Sequence, residues 1–133
     1  MEAKGVLVST ESTTEQLQGI LQELQVRIEG LEEIAVIQRD GTLLASFFAS
    51  THQQNTTVIA TEFANLTDEI CHALGQSTSA EAIMKGEKRF LAIYKTQDAD
   101  IFLGILGSAT VNFGLLNSGC RIAIQKIHDT FSR

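Results

Sequence analysis

The 133-residue sequence contains no proline and no tryptophan, and it has only two cysteines and one tyrosine. Without proline or a glycine- and serine-rich stretch, nothing in the sequence marks a linker between domains. The cysteines, Cys71 and Cys120, are too few and too far apart for a zinc knuckle or a disulfide framework, so we expect a reducing, cytoplasmic setting. The sequence has no run of about 18 or more apolar residues, so we expect neither a membrane-spanning helix nor a signal peptide.

Basic residues are also scarce. Ten lysines and arginines stand against 16 acidic residues, which gives a net charge of -6. This is the wrong sign for a protein that binds nucleic acid by neutralising phosphates. With 44% hydrophobic and 20% charged residues, the composition is that of a soluble globular protein. We expect one domain over residues 11–133, preceded by a flexible N-terminal tail of residues 1–10.

Apolar residues at helical spacing predict three helices. The first covers about residues 13–29, because Ser12 and Glu15 form a capping-box pattern before it and Gly30 follows it. The second covers 58–74, where one face carries Ile59, Phe63, Leu66, Ile70 and Leu74. The third lies near the C-terminus and carries Leu116, Cys120, Ala123, Ile127 and Phe131.

Short apolar runs between these helices predict five strands. Asp40-Gly41 separates the first two runs, 34–37 and 43–48, and is a strong hairpin signal. The other runs cover 80–84, 90–94 and 101–106, and the links between them are too short for a crossover helix, so neighbours should pair antiparallel. The order of elements is α-β-β-α-β-β-β-α. We expect the run at 80–84 to form an edge strand.

The sheet needs more helical cover than one chain supplies. Two of the strands are apolar at both parities, so both faces of the sheet should be covered. Five strands span roughly 24 Å and one helix covers about 10–12 Å, so each face requires about two helices. Three helices leave one face short, and a homodimer is the simplest remedy.

Groups that could carry chemistry do not converge in the sequence. The histidines, His52, His72 and His128, have no partner at metal-ligand spacing, and adjacent Cys71 and His72 fall on different helical faces. Asp68 and His72 are four residues apart and suit a structural pair. Gly104–Gly107 is too apolar for a phosphate loop, and Asp98 and Asp100 lack the remaining ligands of a calcium loop. We therefore expect no catalytic residues, no metal and no cofactor.

The order of elements, Asp40-Gly41 followed by Leu44-Ala45-Ser46, and Asn112 with Gly114 before the last helix together resemble the roadblock/dynein light chain family, in its prokaryotic, MglB-like form. The resemblance covers about residues 14–131. It implies an α/β protein of the α+β type, a three-layer α/β/α sandwich. In this fold the first and last helices lie on one face of a five-stranded antiparallel sheet, and the second helix lies on the other.

The same resemblance implies a homodimer that forms by pairing of third strands and of second helices. The residues predicted for this dimer interface are Phe63, Ile70, Ala82, Ile83 and Met84. The second helix carries Glu62, Asp68 and Glu69 without a basic residue, so a pair of such helices would form an acidic platform. A solvated helix face is the simpler interpretation of this pattern. Our hypothesis is that a protein partner contacts Thr61, Asn65, Asp68 and His72.

Members of the resembled family mostly regulate or scaffold small Ras-like GTPases. The sequence therefore predicts a non-enzymatic homodimer that binds such a GTPase and modulates its nucleotide cycle or placement. Arg39 and Arg89 lie at strand ends and are the two candidates for reaching a nucleotide. The alternative is a small-molecule sensor or general signalling domain, which would require a monomer with a vacant cavity.

Overall fold

The computed structural model describes the backbone of residues 2–48 and 56–132, and the side chains of 12–48 and 56–132. The helices are α1 (Glu2–Arg27), α2 (Thr56–Ala73) and α3 (Phe113–Phe131). The strands are β1 (Leu31–Gln38), β2 (Leu43–Phe48), β3 (Glu81–Lys85), β4 (Arg89–Lys95) and β5 (Ile101–Ser108). The predicted order of elements is confirmed. His52 lies outside the described residues.

Helix α1 differs most from the sequence expectation. It begins at Glu2 rather than near residue 13, so the capping-box pattern at Ser12 lies inside the helix and does not begin it. It ends at Arg27, and Gly30 follows with a φ of 99°. The flexibility expected of residues 1–10 is a separate property and stays a prediction.

The strands form one antiparallel sheet in the order β2-β1-β5-β4-β3. The β1–β2 hairpin turns at Asp40-Gly41, where Gly41 has a φ of 96° and Asp40 Oδ1 accepts a hydrogen bond from the Thr42 N–H at 2.9 Å. Among the described strands, β3 pairs with β4 and with no other, so it forms an edge, as predicted. The central pairing joins β1 to β5, which are far apart in the sequence.

The two faces of the sheet carry cores of different size. Helices α1 and α3 pack against each other and cover one face, where the larger apolar cluster lies. Helix α2 covers the other face and contacts β1, β4 and β5 above a smaller cluster. The three-layer sandwich is confirmed, and the α2 face has the single helix that the sheet-width estimate predicts.

Candidate protein-interaction site

Helix α2 meets the sheet through small side chains. Its buried residues are Thr56, Ala60 and Ala64. Gly104 lies beneath Ala60, and a Cβ atom at position 104 would be 2.9 Å from the Ala60 Cβ. Such close approach is open to small residues only, because a larger pair would push the helix away from the sheet.

The large apolar residues of α2 lie beside this contact, and most of them are exposed, whereas Phe63 is half-buried. We call Ile59, Phe63, Leu66, Ile70 and Leu74 the apolar flank, since their spacing of three and four places them on one side of the helix. Ile59 is 48% exposed, Leu66 53%, Ile70 51% and Leu74, just past the helix end, 70%. Apart from half-buried Phe63, this flank is apolar surface that the described residues leave largely uncovered.

The residues predicted for the dimer interface lie near β3, and they do not all lie on the same face of the sheet. Phe63 and Ala82 both pack against the small cluster under α2. Met84 is 55% exposed and faces the same side of the sheet as Ala82. Ile83 lies on the opposite face, against the α1/α3 cluster. Four of the five residues therefore share the α2 side, and Ile83 does not.

An apolar cleft opens between the start of α2 and the β3–β4 hairpin. Its volume is about 210 Å³, and its lining includes Ile59, Met84, Leu91, Leu106 and Phe90. The cleft lies between Ile59 of the apolar flank and Met84 of the edge strand, and its lining also includes Thr56 and Arg89. Sequence reasoning missed Ile59, Leu66 and Leu74 as interface candidates, although their helical spacing was visible.

A second side of α2 carries the four residues predicted to contact a partner. Asn65 and His72 are exposed, and Thr61 is half-buried. Thr61 donates a hydrogen bond to the Thr57 carbonyl at 2.7 Å and lies beside Gly41 in the β1–β2 turn. We call Thr61, Asn65, Asp68 and His72 the polar flank. That a partner contacts it stays a prediction.

Asp68 differs from the other members because it reaches across to neighbouring elements. Its carboxylate accepts hydrogen bonds from the Lys95 ammonium at 2.5 Å and from the Ser79 N–H at 2.9 Å. Burial alone would raise the pKa of Asp68, but Lys95 and Ser79 together hold that pKa below its ordinary value. The lysine offsets the negative charge of Asp68, so the acidic side of α2 is weaker than its sequence indicates.

The two arginines considered for contact with a nucleotide lie at opposite ends of the sheet. Arg39 follows β1 and forms an ion pair with Asp100 at 3.1 Å. Arg89 begins β4 and forms one with Glu32 at 2.7 Å. Both pairs are substantially exposed, so an approaching partner can exchange them at small cost.

Cys71, Cys120, His72 and His128, the cysteines and histidines among the described residues, form no metal-binding group with neighbouring acidic side chains. Cys120 is fully buried, and burial raises the pKa of its thiol to about 12, which keeps it protonated. Cys71 is half-buried on α2. Within residues 12–48 and 56–132, groups of three or more His, Cys, Asp or Glu side chains nowhere lie close enough to hold a metal ion. In the described part of the chain, no helix combines the length and apolar character needed to cross a membrane.

Comparison with known proteins identifies the family. The family model described as the Roadblock/LC7 domain matches residues 17–106. A search of the curated proteins gives no match. Among solved structures, MglB from Myxococcus xanthus superposes with a TM-score of 0.80 at 11% identity, covering 90% of each chain.

Two further structures are similar. An MglB described as having a tetrameric arrangement gives a TM-score of 0.78 at 17% identity, covering 89% of each chain. MglC from Myxococcus xanthus gives 0.57 at 22% identity, covering 84% of this chain and 96% of its own. At these identities the structures show a shared fold, and the family model covers most of the sequence. The chain belongs to the Roadblock/LC7 domain family.

Proposed function

We propose that two copies of the chain associate through the apolar flank of α2 and the edge of β3. The resulting homodimer acts as a non-enzymatic regulator or scaffold of a small Ras-like GTPase. The observation that carries the proposal is the exposure of the apolar flank beside an open sheet edge.

Self-association covers both exposed features at once. Contiguous apolar surface of this kind is uncommon on a soluble monomer and indicates an interface. The free N–H and C=O groups of β3 pair with those of a second β3, which removes the open edge. A two-fold axis between the strands brings the two copies of α2 side by side and supplies the missing helix on this face. The tetrameric arrangement described for one MglB supports self-association.

Family membership and the similarity to MglB and MglC support the GTPase partner. The polar flank lies on the side of α2 away from the apolar flank, so in the dimer each copy presents one such surface, which faces away from the second copy. Because Lys95 offsets the charge of Asp68, we propose that exposed Asn65 and His72 make the more sensitive contacts. Glu62 and Glu69 keep this surface acidic, which favours a partner with a basic edge.

If the dimer accelerates GTP hydrolysis, we propose that it reshapes the switch loops of the GTPase rather than donating an arginine. Arg39 and Arg89 are both ion-paired and stand at opposite ends of the sheet. Replacing each with alanine tests this directly in a turnover assay. If either residue were an arginine finger, its alanine variant would lower the rate of stimulated GTP hydrolysis by about three orders of magnitude. We expect both variants to retain activity.

The test of self-association is sedimentation equilibrium over a range of concentrations. Wild type should sediment as a dimer, and Leu66→Asp should be monomeric. Ile122→Asp is the matched control, since Ile122 is 48% exposed on α3, on the opposite face of the molecule. A wild-type monomer at high concentration would refute the homodimer. If Ile122→Asp were monomeric and Leu66→Asp remained dimeric, the interface would lie on α1 and α3 instead.

The test of the partner is titration with a small Ras-like GTPase in its GDP and GTP forms. The double variant Asn65→Ala, His72→Ala should weaken binding, and Gln125→Ala on exposed α3 should leave it unchanged. Equal affinity of all three proteins would refute the polar flank as the contact. Absence of binding in both nucleotide states would refute the choice of this GTPase as partner.

A small-molecule sensor is the second candidate, and the apolar cleft is where it would bind its ligand, but two features of the cleft favour the dimer. At about 210 Å³ the cleft is smaller than the roughly 300–1,000 Å³ of typical ligand sites. It also adjoins the surface that the dimer would cover. A monomer that binds an apolar ligand, with binding lost in Met84→Trp, would support the sensor over the regulator.

A further inference from the structure

The proposed dimer surface consists of two elements that have few contacts with each other. Helix α2 packs on β1, β4 and β5, and its contact with β3 is made chiefly where Phe63 and Ala82 join the same small cluster. A second copy must meet the apolar flank and the strand edge together. Pairing with β4 holds β3 in the sheet, so what remains to be fixed is the position of α2 relative to the start of this edge strand.

A polar cluster lies where α2 leads into β3. The Asp68 cluster comprises Asp68 and Thr67 on α2, Ser79 just before β3, and Lys95 at the end of β4. Asp68 accepts hydrogen bonds from the Ser79 N–H at 2.9 Å, the Ser79 hydroxyl at 3.2 Å and the Lys95 ammonium at 2.5 Å. Thr67 and Ser79 share a further hydrogen bond at 2.8 Å.

The cluster also connects to the sheet through the backbone. The Lys95 N–H donates to the Ala80 carbonyl at 2.9 Å, one residue before β3 begins. The same lysine thus holds the start of β3 with its main chain and α2 with its side chain. Lys95 therefore links α2 to the start of β3.

Burial of this ion pair disfavours other distances between α2 and the start of β3. The Lys95 side chain is 4% exposed, and Ser79 is buried. Separating the two partners of a buried ion pair leaves the desolvation of Lys95 without its compensating attraction, so arrangements that separate Lys95 from Asp68 are disfavoured. Charge-assisted hydrogen bonds are also short and directional, which restricts the distance between the helix and the strand.

We propose that Asp68 and Lys95 are positioning residues for self-association. They hold β3 at the distance from α2 at which the strand edge and the apolar flank meet a second copy simultaneously. This inference rests on the proposed homodimer. In it, Asp68 acts through Ser79 and Lys95 and does not itself touch the second copy.

The test compares Asp68→Asn with Glu69→Gln, which removes the same charge at the next, exposed position of the helix. Dimer dissociation constants are measured by sedimentation equilibrium on protein shown to be folded by circular dichroism. Asp68→Asn should raise the constant about tenfold or more, which a spacing error at the interface produces, and Glu69→Gln should change it less than about twofold. Lys95→Met, which keeps the apolar stem, should behave like Asp68→Asn.

Two further measurements separate positioning from general stability. Amide exchange in Asp68→Asn should become faster in β3 by a larger factor than in central β1 and β5, because local opening of the edge adds to the global loss of stability that all strands share. Unfolding in urea gives the folded fraction at each concentration. A loss of dimer that follows only the loss of folded protein would make the cluster merely structural and overturn the inference.

The remaining outcomes distinguish the two proposals. Folded Asp68→Asn or Lys95→Met with the wild-type dissociation constant would overturn the positioning role and leave the homodimer standing. A monomeric wild type would overturn the homodimer and the positioning role together.

Discussion

The helices on the two faces of the sheet differ in the size of the residues that they bury against it. On the α1/α3 face, Leu21 and Leu116 are completely buried. On the α2 face the buried helical residues are alanines and a threonine, and most of the large apolar residues lie exposed at the side. All three helices are amphipathic, so amphipathicity does not separate a helix that builds the core from one that builds an interface. What separates them is which residues meet the sheet.

The difference has a steric origin. Gly104 and Ala60 allow α2 to lie close on the sheet, and this contact needs no large side chain to fill it. The apolar flank is therefore surplus to the chain's own core. We therefore expect substitutions in the α1/α3 core to lower the stability of the fold, and substitutions in the apolar flank to weaken self-association.

The largest expected effect comes from the α1/α3 face. Leu116→Ala removes a completely buried side chain and should lower the free energy of unfolding by about 2–5 kcal/mol. Leu66→Ala should change the stability of the monomer by less than about 0.5 kcal/mol, because half of this side chain is already in water. Urea unfolding at low protein concentration measures both. Equal losses would contradict the contrast between the faces.

The close contact under α2 gives the next effect. Gly104→Ala places a Cβ 2.9 Å from that of Ala60 and should destabilise the fold by about 1–3 kcal/mol. Gly19→Ala is the control, and we expect it to raise the stability of the fold rather than lower it. A Cβ there has no neighbour within 4 Å, so alanine should stabilise α1 by about 0.5–1 kcal/mol. Thermal unfolding compares them, and a tolerated Gly104→Ala would mean that α2 lies less tightly than described.

Local signals explain how much of this architecture was predictable from sequence. Asp40-Gly41 and the short links between later strands specify pairings of neighbours, and the structure confirms them. The β1–β5 pairing joins segments about 70 residues apart and has no local signal. The start of α1 was wrong because a capping-box pattern can also occur inside a helix.

The candidate site was harder to predict than the fold. Helical spacing identified the apolar flank and the polar flank of α2, but not their orientation relative to the sheet. Asp68 shows the limit most clearly. Sequence spacing offered His72 as its neighbour, whereas the structure pairs it with Lys95, 27 residues away. Such a pair depends on how the sheet brings β4 beneath the helix.

Each face also has an ion pair that tests the comparison, and the pair under α2 is the stronger. Asp68→Asn should cost about 1–3 kcal/mol, since a charged hydrogen bond to a nearly buried lysine is lost. The pKa of Asp68 is lowered in the folded state, so its stabilisation is present above its unfolded-state pKa of about 3.9 and is lost as the pH falls through the folded value. Urea unfolding from pH 7 to 2 should therefore show a smaller acid-induced loss in Asp68→Asn. An unchanged pH profile would contradict the ion pair.

The smallest effect is expected from the ion pair on the α1/α3 face. Lys126 donates to Glu23 at 2.9 Å, but both side chains are about half exposed or more, so water and salt screen the pair. Glu23→Gln should lower stability by less than about half of the loss in Asp68→Asn, and the difference from wild type should vanish in high salt. The measurement is thermal unfolding at low and high ionic strength. A loss as large as that of Asp68→Asn, persisting in salt, would show that the polar contacts of the two faces are equivalent, and the distinct character assigned to the α2 face would then rest on its apolar flank alone.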